Sequence, residues 1–311
     1  MPLVRSTEVL QYAREARFAV GAFNADNMEI LQAIIEAAEE ERAPVILQVS
    51  GPTILYAGLT LPAAMVRTLA EEVDIPVVLH LDHGISFAQN VHALRTGFTS
   101  LMFDGSRLPY EENITITTQV VQMAHSAGIP VEAELGKVLQ TGVTAREVAN
   151  AMTEPDEAAD FVQRTGCDSL AVAIGSIHAM TDRHAELDID RVRTISEQVA
   201  IPLVLHGSSG VKHESILEAI AYGVCKVNVS TYLKQAFVDA LRDAMQAEPA
   251  EVDFRKLFTP AREAVKERVR EKLRLFGASG RISGTGVFRS PPVQRRGGIG
   301  NTSGETSGGV D

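Results

Sequence analysis

Three histidines in this chain come just after short apolar runs, at the points where buried strands are expected to end. His83 follows residues 77–81, His178 follows residues 170–174, and His206 follows residues 203–205. Continuous apolar runs of this length are typical of parallel strands that are buried on both faces. Three neutral imidazoles that leave one coordination position open are the ligands of a catalytic zinc ion. The pattern therefore predicts metal-assisted chemistry at the carboxyl ends of a parallel sheet.

A carboxylate stands next to one of these histidines. Asp82 precedes His83, so we expect its carboxylate to reach any group that the metal polarises, and we interpret it as a general acid or base. The alternative is that Asp82 and the nearby His80 form a buried polar pair in the wall of the sheet.

Further carboxylates interrupt or end apolar strands, at Asp104, Glu132 and Glu134. Burying a carboxylate in such a strand is costly unless it is paired with a cation or binds a metal ion. These residues are therefore candidates for a metal-binding or charge-paired role. The alternative is a structural hydrogen-bond network or a solvated strand end.

Eight apolar runs alternate with helical patterns along the chain. They cover residues 18–23, 45–49, 77–81, 100–103, 131–135, 169–173, 203–205 and 225–229. Strands that alternate with helices predict an α/β fold with a parallel sheet, and eight such units in about 250 residues are typical of a TIM (β/α)8 barrel. A doubly wound sheet is the second candidate, but no GxGxxG pattern follows the first strand.

Two segments lie outside this alternation. Residues 249–276 predict one or two extra C-terminal helices, and residues 277–311 are rich in Gly, Ser, Pro and Arg. We therefore expect a barrel over residues 1–280 and a flexible tail over residues 281–311, disordered at least beyond Arg289. The segment 136–153 is the longest connection inside the barrel, and long loops at the carboxyl end are often functional lids.

Composition restricts the possible functions. The formal net charge of −11 argues against a nucleic-acid partner, because a binding face needs clustered Lys and Arg. We find no apolar run of ~18 residues that would predict a membrane span, and no signal-peptide pattern at the N-terminus. Cys167 and Cys225, the two cysteines, lie in or beside apolar runs, which indicates free thiols in a cytoplasmic compartment.

Small polar residues follow the last two predicted strands, in segments 206–210 and 228–231. Both segments lead into helices, whose N-terminal N–H groups bind anions. TIM barrels commonly bind phosphate at the loops after the seventh and eighth strands. We therefore predict a phosphorylated small-molecule substrate.

Five motifs occur together in a characteristic order: LHLDHG at 79–84, GFTSLMFDGS at 97–106, VEAELG at 131–136, LVLHG at 203–207 and KVNVST at 226–231. With them, the chain resembles the class II, metal-dependent ketose-bisphosphate aldolases of the fructose- and tagatose-bisphosphate type, from about Phe23 to Ala236. The resemblance implies a TIM barrel, a homodimer or homotetramer, and a catalytic zinc ion. It implies cleavage or formation of a ketose phosphate, with dihydroxyacetone phosphate and an aldehyde such as glyceraldehyde 3-phosphate as the smaller partners.

The resemblance also assigns roles to single residues. His83, His178 and His206 match the zinc ligands, and Asp82 matches the proton donor. Asp104 and Glu134 match the positions of a second divalent metal. The positions that match substrate-binding residues are Asn24, Ser50, Ala179, Gly207, Ser208, Ser209, Asn228, Val229, Ser230 and Thr231.

The chain departs from the family pattern in the loop after VEAELG. Relatives carry a glycine pair and then Glu-Asp there, and a glutamate of that loop moves the ketose-side proton. At these positions this chain has Leu139 and Gln140, then Gly142 and Val143. Ala179 also stands where relatives have glycine. Glu147 is the carboxylate that could replace the missing base.

Two other functions stay open. A Schiff-base aldolase would use Lys226, on the last strand, and would need no metal. A metal- and sugar-phosphate-binding paralogue with altered or lost aldolase activity would explain the changed loop. The sugar is also undecided, because fructose-type relatives carry Asp or Asn and tagatose-type relatives carry Ala where this chain has Ser230.

Overall fold

The structure is a computed structural model that describes residues 3–178 and 184–283. Its main sheet has eight strands: β1 (Val20–Asn24), β2 (Val45–Ser50), β3 (Val77–Asp82), β4 (Leu101–Phe103), β5 (Val131–Leu135), β7 (Ser169–Val172), β9 (Leu203–Leu205) and β10 (Val224–Val229). A second, two-stranded sheet is formed by β6 (Leu139–Gln140) and β8 (Ile177–His178).

The main sheet is parallel throughout and closes on itself. Its strand order is β3-β2-β1-β10-β9-β7-β5-β4. The two end strands are joined by parallel bridges between His80 and Ser100 and between Gly84 and Phe103. The prediction of a TIM barrel is therefore confirmed, and the carboxyl ends of all eight strands meet at one end of the molecule.

Helices surround the sheet: α1 (Ser6–Ala16), α2 (Met28–Glu40), α3 (Gly51–Ala57), α4 (Thr60–Glu71), α5 (Phe87–Thr96), α6 (Tyr110–Ser126), α7 (Ala145–Ala151), α8 (Pro155–Thr165), α9 (Ile189–Gln198), α10 (His213–Ala221), α11 (Thr231–Ala247) and α12 (Phe254–Leu275). The extra C-terminal helix predicted within residues 249–276 is α12. It packs against α2, where Lys266 and Arg270 form ion pairs with Glu40. Among the described residues, no single helix is long and apolar enough to span a membrane, although the bent pair α3–α4 passes that test by length and composition.

The strands of the main sheet are buried along their whole length because helices cover the outer face of the barrel and side chains fill its interior. Cys167 and Cys225 are free and buried, and burial raises the pKa of each thiol to about 12. The interior also holds charged side chains, including Glu132 and Lys226, which are both buried.

The last described residues pack at the amino end of the barrel. The N–H of Ile282 donates to the carbonyl of Arg42, and the guanidinium of Arg281 lies 4.9 Å from the centroid of the Phe18 ring. Phe18 precedes β1, so this contact is on the side opposite the strand carboxyl ends. The predicted tail beyond residue 283 lies outside the described residues.

Candidate active site

His83 reaches the site through an unusual backbone conformation. It is the first residue after β3 and has a φ of 52°, in the left-handed region that residues other than glycine seldom adopt. If the strand continued, its alternation would place His83 on the face opposite His80 and Asp82. The left-handed turn at His83 ends the strand instead. The next residue must be glycine, since a Cβ at Gly84 would lie 2.3 Å from the Met102 carbonyl oxygen.

The three histidines predicted from the strand ends converge. The ring centroids are 4.7 Å apart for His83 and His206, 5.6 Å for His83 and His178, and 6.2 Å for His178 and His206. One ligand nitrogen from each ring lies within 4.8 Å of the others. Three nitrogens at this spacing can bind one ion after small side-chain movements.

His178 is positioned differently from the other two. Its apolar run ends as a barrel strand at Val172, and His178 lies instead on β8, whose backbone pairs with β6. Gln140 is the residue opposite His178 in this pairing. The loop that departs from the family pattern therefore holds the backbone of one candidate ligand.

Carboxylates orient the rings of the other two histidines. His83 Nδ1 lies 2.8 Å from Asp104 Oδ2, and Asp104 Oδ1 accepts hydrogen bonds from the backbone and hydroxyl of Ser106. His206 Nε2 lies 3.0 Å from Glu132 Oε1. Such hydrogen bonds fix which ring nitrogen is left to bind a metal ion.

Two of the buried polar atoms that have no hydrogen-bond partner lie between the candidate metal ligands. They are His206 Nδ1 and Glu134 Oε2, which lie 3.3 Å apart without hydrogen-bond geometry. Buried polar atoms are rarely left unpaired in native proteins. A second group of possible ligands is formed by His83, Asp104 and Glu134. The residues therefore fit a divalent cation, with imidazole nitrogens and carboxylate oxygens as donors.

The pKa values of the three imidazole rings are shifted in different directions. Burial lowers the pKa of His83, but the charge of Asp82 and the hydrogen bond to Asp104 outweigh it and raise this pKa to about 10. Burial and the two neighbouring imidazoles lower the pKa of His178 to about 4. For His206, burial is outweighed by the hydrogen bond to Glu132, and the pKa is raised.

Asp82 is held by two amides. Its Oδ1 accepts from Asn228 Nδ2 at 3.1 Å and its Oδ2 from Gln48 Nε2 at 3.3 Å. Oδ1 also lies 3.8 Å from His83 Nε2. Burial raises the pKa of Asp82, but the charges of His83 and neighbouring groups lower it overall.

The alternative pairing of Asp82 with His80 is not what the structure contains. His80 Nδ1 lies 2.8 Å from Ser100 Oγ, and its Nε2 lies 3.3 Å from Lys226 Nζ. Gln48 was not among the residues selected from the sequence. The available signal was an amide inside the otherwise apolar strand VILQVS, the same signal that singled out Glu132.

The predicted phosphate segments lie side by side at the carboxyl ends of β9 and β10. Gly207, with a φ of 65°, leads into a short 3-10 helix formed by Ser208–Gly210. The Ser208 hydroxyl donates to the Asn228 carbonyl and so joins the two segments. Val229 ends β10, Ser230 is the N-cap residue of α11, and Thr231 begins that helix.

The residues predicted near the other end of the substrate are also at strand ends. Asn24 closes β1 and accepts a hydrogen bond from Gln48, which links it to Asp82. Ser50 closes β2, and its hydroxyl lies 3.1 Å from that of Thr53. Ala179 lies outside the described residues.

Glu147 lies in the first turn of the short helix α7 in the altered loop. The side chain is exposed, and its carboxylate accepts hydrogen bonds from the N–H and the hydroxyl of Thr144, both at 2.7 Å. These contacts lower its pKa. They form a capping box, which gives Glu147 a structural role in the conformation described here.

Comparison with known proteins agrees with this geometry. Residues 4–281 match the sequence profile of class II fructose-bisphosphate aldolase. The chain is 42% identical to the fructose-bisphosphate aldolase of Thermus caldophilus over 304 residues, covering 90% of this chain and 99% of the relative. Identity to the enzyme of the same name from Geobacillus stearothermophilus is 43% over 288 residues, covering 91% and 100%.

A solved structure shows the same architecture. The YdjI aldolase of Escherichia coli K12 superposes with a TM-score of 0.78 at 37% identity, covering 89% of this chain and 98% of that one. The profile match extends over nearly the whole described chain and includes all three converging histidines. The chain therefore belongs to the class II fructose-bisphosphate aldolase family of carbon–carbon lyases.

Proposed function

We propose that the protein is a zinc-dependent aldolase that cleaves or forms a ketose bisphosphate between C3 and C4. Cleavage would give dihydroxyacetone phosphate and an aldehyde such as glyceraldehyde 3-phosphate. The observation that carries the proposal is the convergence of three imidazoles beside the carboxylate of Asp82. Fructose 1,6-bisphosphate is the first substrate to test, because relatives are named for it, and tagatose 1,6-bisphosphate is the second.

We assign the zinc site to His83, His178 and His206. After the hydrogen bonds to Asp104 and Glu132, His83 has Nε2 and His206 has Nδ1 left to bind the ion. When bound, zinc would supply a Lewis acid that polarises the ketose carbonyl and stabilises negative charge developing there. Asp104 and Glu134 are the candidate ligands of a second divalent cation.

We assign proton transfer at the C4 oxygen to Asp82. Its lowered pKa keeps the carboxylate ionised at neutral pH, so it can accept the proton of the C4 hydroxyl during cleavage. In the condensation direction the same proton returns to the aldehyde oxygen. Gln48 and Asn228 hold both carboxylate oxygens, which orients Asp82 before the substrate binds.

We assign the substrate phosphate to the segments 207–209 and 228–231. The N-terminus of the 17-residue helix α11 and the hydroxyls of Ser209 and Ser230 can supply donors to an anion. Because the segment 207–209 directly follows His206, a phosphate bound there would bring the reacting carbons close to the proposed metal. Asn24 and Ser50 are assigned to the distal end of the substrate.

A second candidate is a metal- and sugar-phosphate-binding protein with altered or lost aldolase activity. The observation that favours it is the loop 137–153, where Glu147 caps α7 and Gln140 pairs with the backbone of His178. The Schiff-base alternative is disfavoured, because Lys226 is 1% exposed and its ammonium group lies 2.8 Å from Glu132. A homo-oligomer and a cytoplasmic location stay predictions from the sequence.

The test is turnover of a panel of ketose mono- and bisphosphates by the full chain, before and after zinc removal by a chelator and after zinc is restored. We expect cleavage of at least one ketose bisphosphate, its loss with the chelator, and its recovery with zinc. Turnover that survives complete zinc removal would contradict the metal-dependent mechanism. Stoichiometric binding of zinc and dihydroxyacetone phosphate without turnover would favour the binding protein.

A further inference from the structure

A buried ion pair lies behind one of the candidate metal ligands. Glu132 is 2% exposed and Lys226 is 1% exposed, and both point into the barrel interior below His206, which is 0% exposed. Neither side chain belongs to the groups that could hold a metal ion. Burying an ion pair carries a large desolvation penalty. A protein with an apolar pair of similar volume in its place is often as stable or more stable.

The two oxygens of Glu132 are divided between two donors. Oε1 lies 3.0 Å from His206 Nε2 and 3.1 Å from Lys226 Nζ, and Oε2 lies 2.8 Å from the same Nζ. The ammonium group therefore fixes the plane of the carboxylate through both oxygens. The remaining lone pair of Oε1 is directed at the imidazole.

The ammonium group of Lys226 also has a third hydrogen-bond partner, which is His80. Lys226 Nζ lies 3.3 Å from His80 Nε2, while His80 Nδ1 lies 2.8 Å from Ser100 Oγ. Because an ammonium group only donates, His80 accepts at Nε2 and donates from Nδ1. The Ser100 hydroxyl in turn donates to Ser6 Oγ at 2.9 Å, so the chain of hydrogen bonds runs on to α1.

This arrangement determines the tautomer of His206. An ionised carboxylate accepts only, so the hydrogen between Glu132 and His206 must be on Nε2. In the neutral ring the lone pair is then on Nδ1, the buried atom that has no hydrogen-bond partner and lies beside Glu134. A metal ion binds imidazole through such a lone pair.

We propose that Glu132 and Lys226 act together as positioning residues, with Lys226 locking the carboxylate that holds His206 with its Nδ1 lone pair directed at the metal site. The inference rests on the metal site of the proposed function. It adds that a lysine remote from the ligands is needed because a carboxylate hydrogen-bonded only to His206 would be free to rotate. It also accounts for Lys226 without any covalent role.

The decisive variants are Glu132→Gln and the double variant Glu132→Gln/Lys226→Met. In Glu132→Gln one oxygen becomes an NH2 group, so in either amide orientation a donor faces the ammonium of Lys226. If the NH2 group takes the place of Oε1, it faces His206 Nε2 as well and favours the opposite tautomer. Replacing Lys226 with methionine removes the conflict and lets the amide oxygen accept from His206 again.

Zinc affinity of the full chain, measured by competition with a chromogenic chelator, is the first readout. We expect Glu132→Gln to weaken zinc binding by about 10- to 100-fold, the range for residues that orient metal ligands. The double variant should regain only part of the affinity, because the amide oxygen can again accept from His206 but is no longer held by Lys226. Nitrogen-15 NMR of the zinc-free proteins, recorded at a pH at which the His206 ring is neutral, should show Nε2–H in His206 of the wild type and the double variant, and a shifted tautomer in Glu132→Gln.

Ser100→Ala is the matched control. It removes a buried hydrogen bond from the same network but leaves Glu132, Lys226 and His206 in contact, so we expect lower thermal stability and unchanged zinc affinity. Equal zinc affinity in the wild type and Glu132→Gln would overturn the inference. So would a double variant that binds zinc no better than Glu132→Gln. Failure of the wild type to bind zinc would instead refute the proposed function.

Discussion

The carboxyl ends of the barrel strands and the small β6–β8 sheet contribute to the same site in different ways. His83 and His206 follow barrel strands, and each ring has one nitrogen held by a carboxylate. His178 lies on a two-residue strand whose partner is the altered loop. Two candidate ligands are therefore oriented by side-chain hydrogen bonds inside the barrel, and the third is held by backbone pairing outside it.

This difference indicates a division of roles between the barrel strands and the loop 137–153. Asp82, the residue assigned to proton transfer, is held by amides from β2 and β10. Glu147, the candidate for the second proton transfer, is on α7 in the loop. Metal binding and one proton transfer would then depend mainly on the barrel, and the ketose-side proton transfer on the loop.

Removal of a barrel ligand should have the largest effect. We expect His206→Ala to abolish stoichiometric zinc binding and activity, because it removes a donor whose ring is already oriented. His178→Ala should weaken zinc binding less, since His83 and His206 still converge. Zinc content after dialysis, with competition titration for residual affinity, measures both. Tighter residual binding in His206→Ala than in His178→Ala would reverse the comparison.

Asp82→Asn should reduce kcat by about 10²- to 10⁴-fold, the range for losing a general acid or base. Asparagine keeps the size of the side chain, so we expect the fold and the zinc content to be retained. Steady-state kinetics and metal analysis on the same preparation check this. An unchanged kcat with a raised KM would move Asp82 to substrate binding.

Glu147→Gln tests the loop. If Glu147 moves the ketose-side proton after loop closure, the variant should slow proton exchange on dihydroxyacetone phosphate by about 10²-fold, with zinc binding unchanged. Thr144→Ala is the control, because it removes the capping hydroxyl but leaves the carboxylate in place. Equal exchange in wild type and Glu147→Gln would exclude Glu147. If only Thr144→Ala is impaired, the role of this region is structural.

Gly207→Ala tests the contact between the two regions. A Cβ at Gly207 would lie 2.9 Å from the backbone carbon and oxygen of Ile177 and 3.2 Å from the His178 nitrogen, so β8 must move. We expect zinc affinity to fall by about 10-fold, at the lower end of the range for residues that orient ligands. Gly142→Ala carries a comparable left-handed strain with no atom within 4 Å of the added Cβ. A similar loss in both variants would show strain alone to be the cause.

Proton release on zinc binding should show the smallest effect. The pKa of about 10 for His83 means that its ring is protonated at pH 7 in the zinc-free protein, so zinc must displace that proton. Affinity should therefore rise with pH, and at least about one proton should be released per zinc. His178, with a pKa of about 4, is already neutral and should release none. Calorimetry in buffers of different ionisation enthalpy measures the count, which should be unchanged in His178→Ala.

The sequence predicted the barrel, the family and the class of enzyme because these depend on local patterns. Largely apolar strands such as β3 and β5 can be recognised in the sequence as short runs, and the family motifs lie at their ends. The roles of the site residues stay predictions. Strand periodicity did not indicate how His83 reaches the other two histidines, because its position depends on a left-handed backbone conformation.

Long-range pairing was the part that sequence patterns could not provide. The β6–β8 sheet joins residues 139–140 to residues 177–178, and two-residue strands are too short for any periodicity. The Glu132–Lys226 pair joins β5 to β10, and each residue alone appears only as a charge in an apolar run. Which buried charge meets which is decided by the closure of the barrel.

The buried cysteines have a practical consequence for spectroscopy. Both thiols are inaccessible and almost entirely protonated near neutral pH, since burial raises the pKa of each to about 12. Maleimide or nitroxide reagents should therefore leave the native protein unlabelled. A single cysteine introduced on the exposed face of α7 would carry the label alone, without prior removal of Cys167 or Cys225. A second cysteine introduced on an exposed helix of the barrel would then allow distances between this loop and the barrel to be measured during turnover.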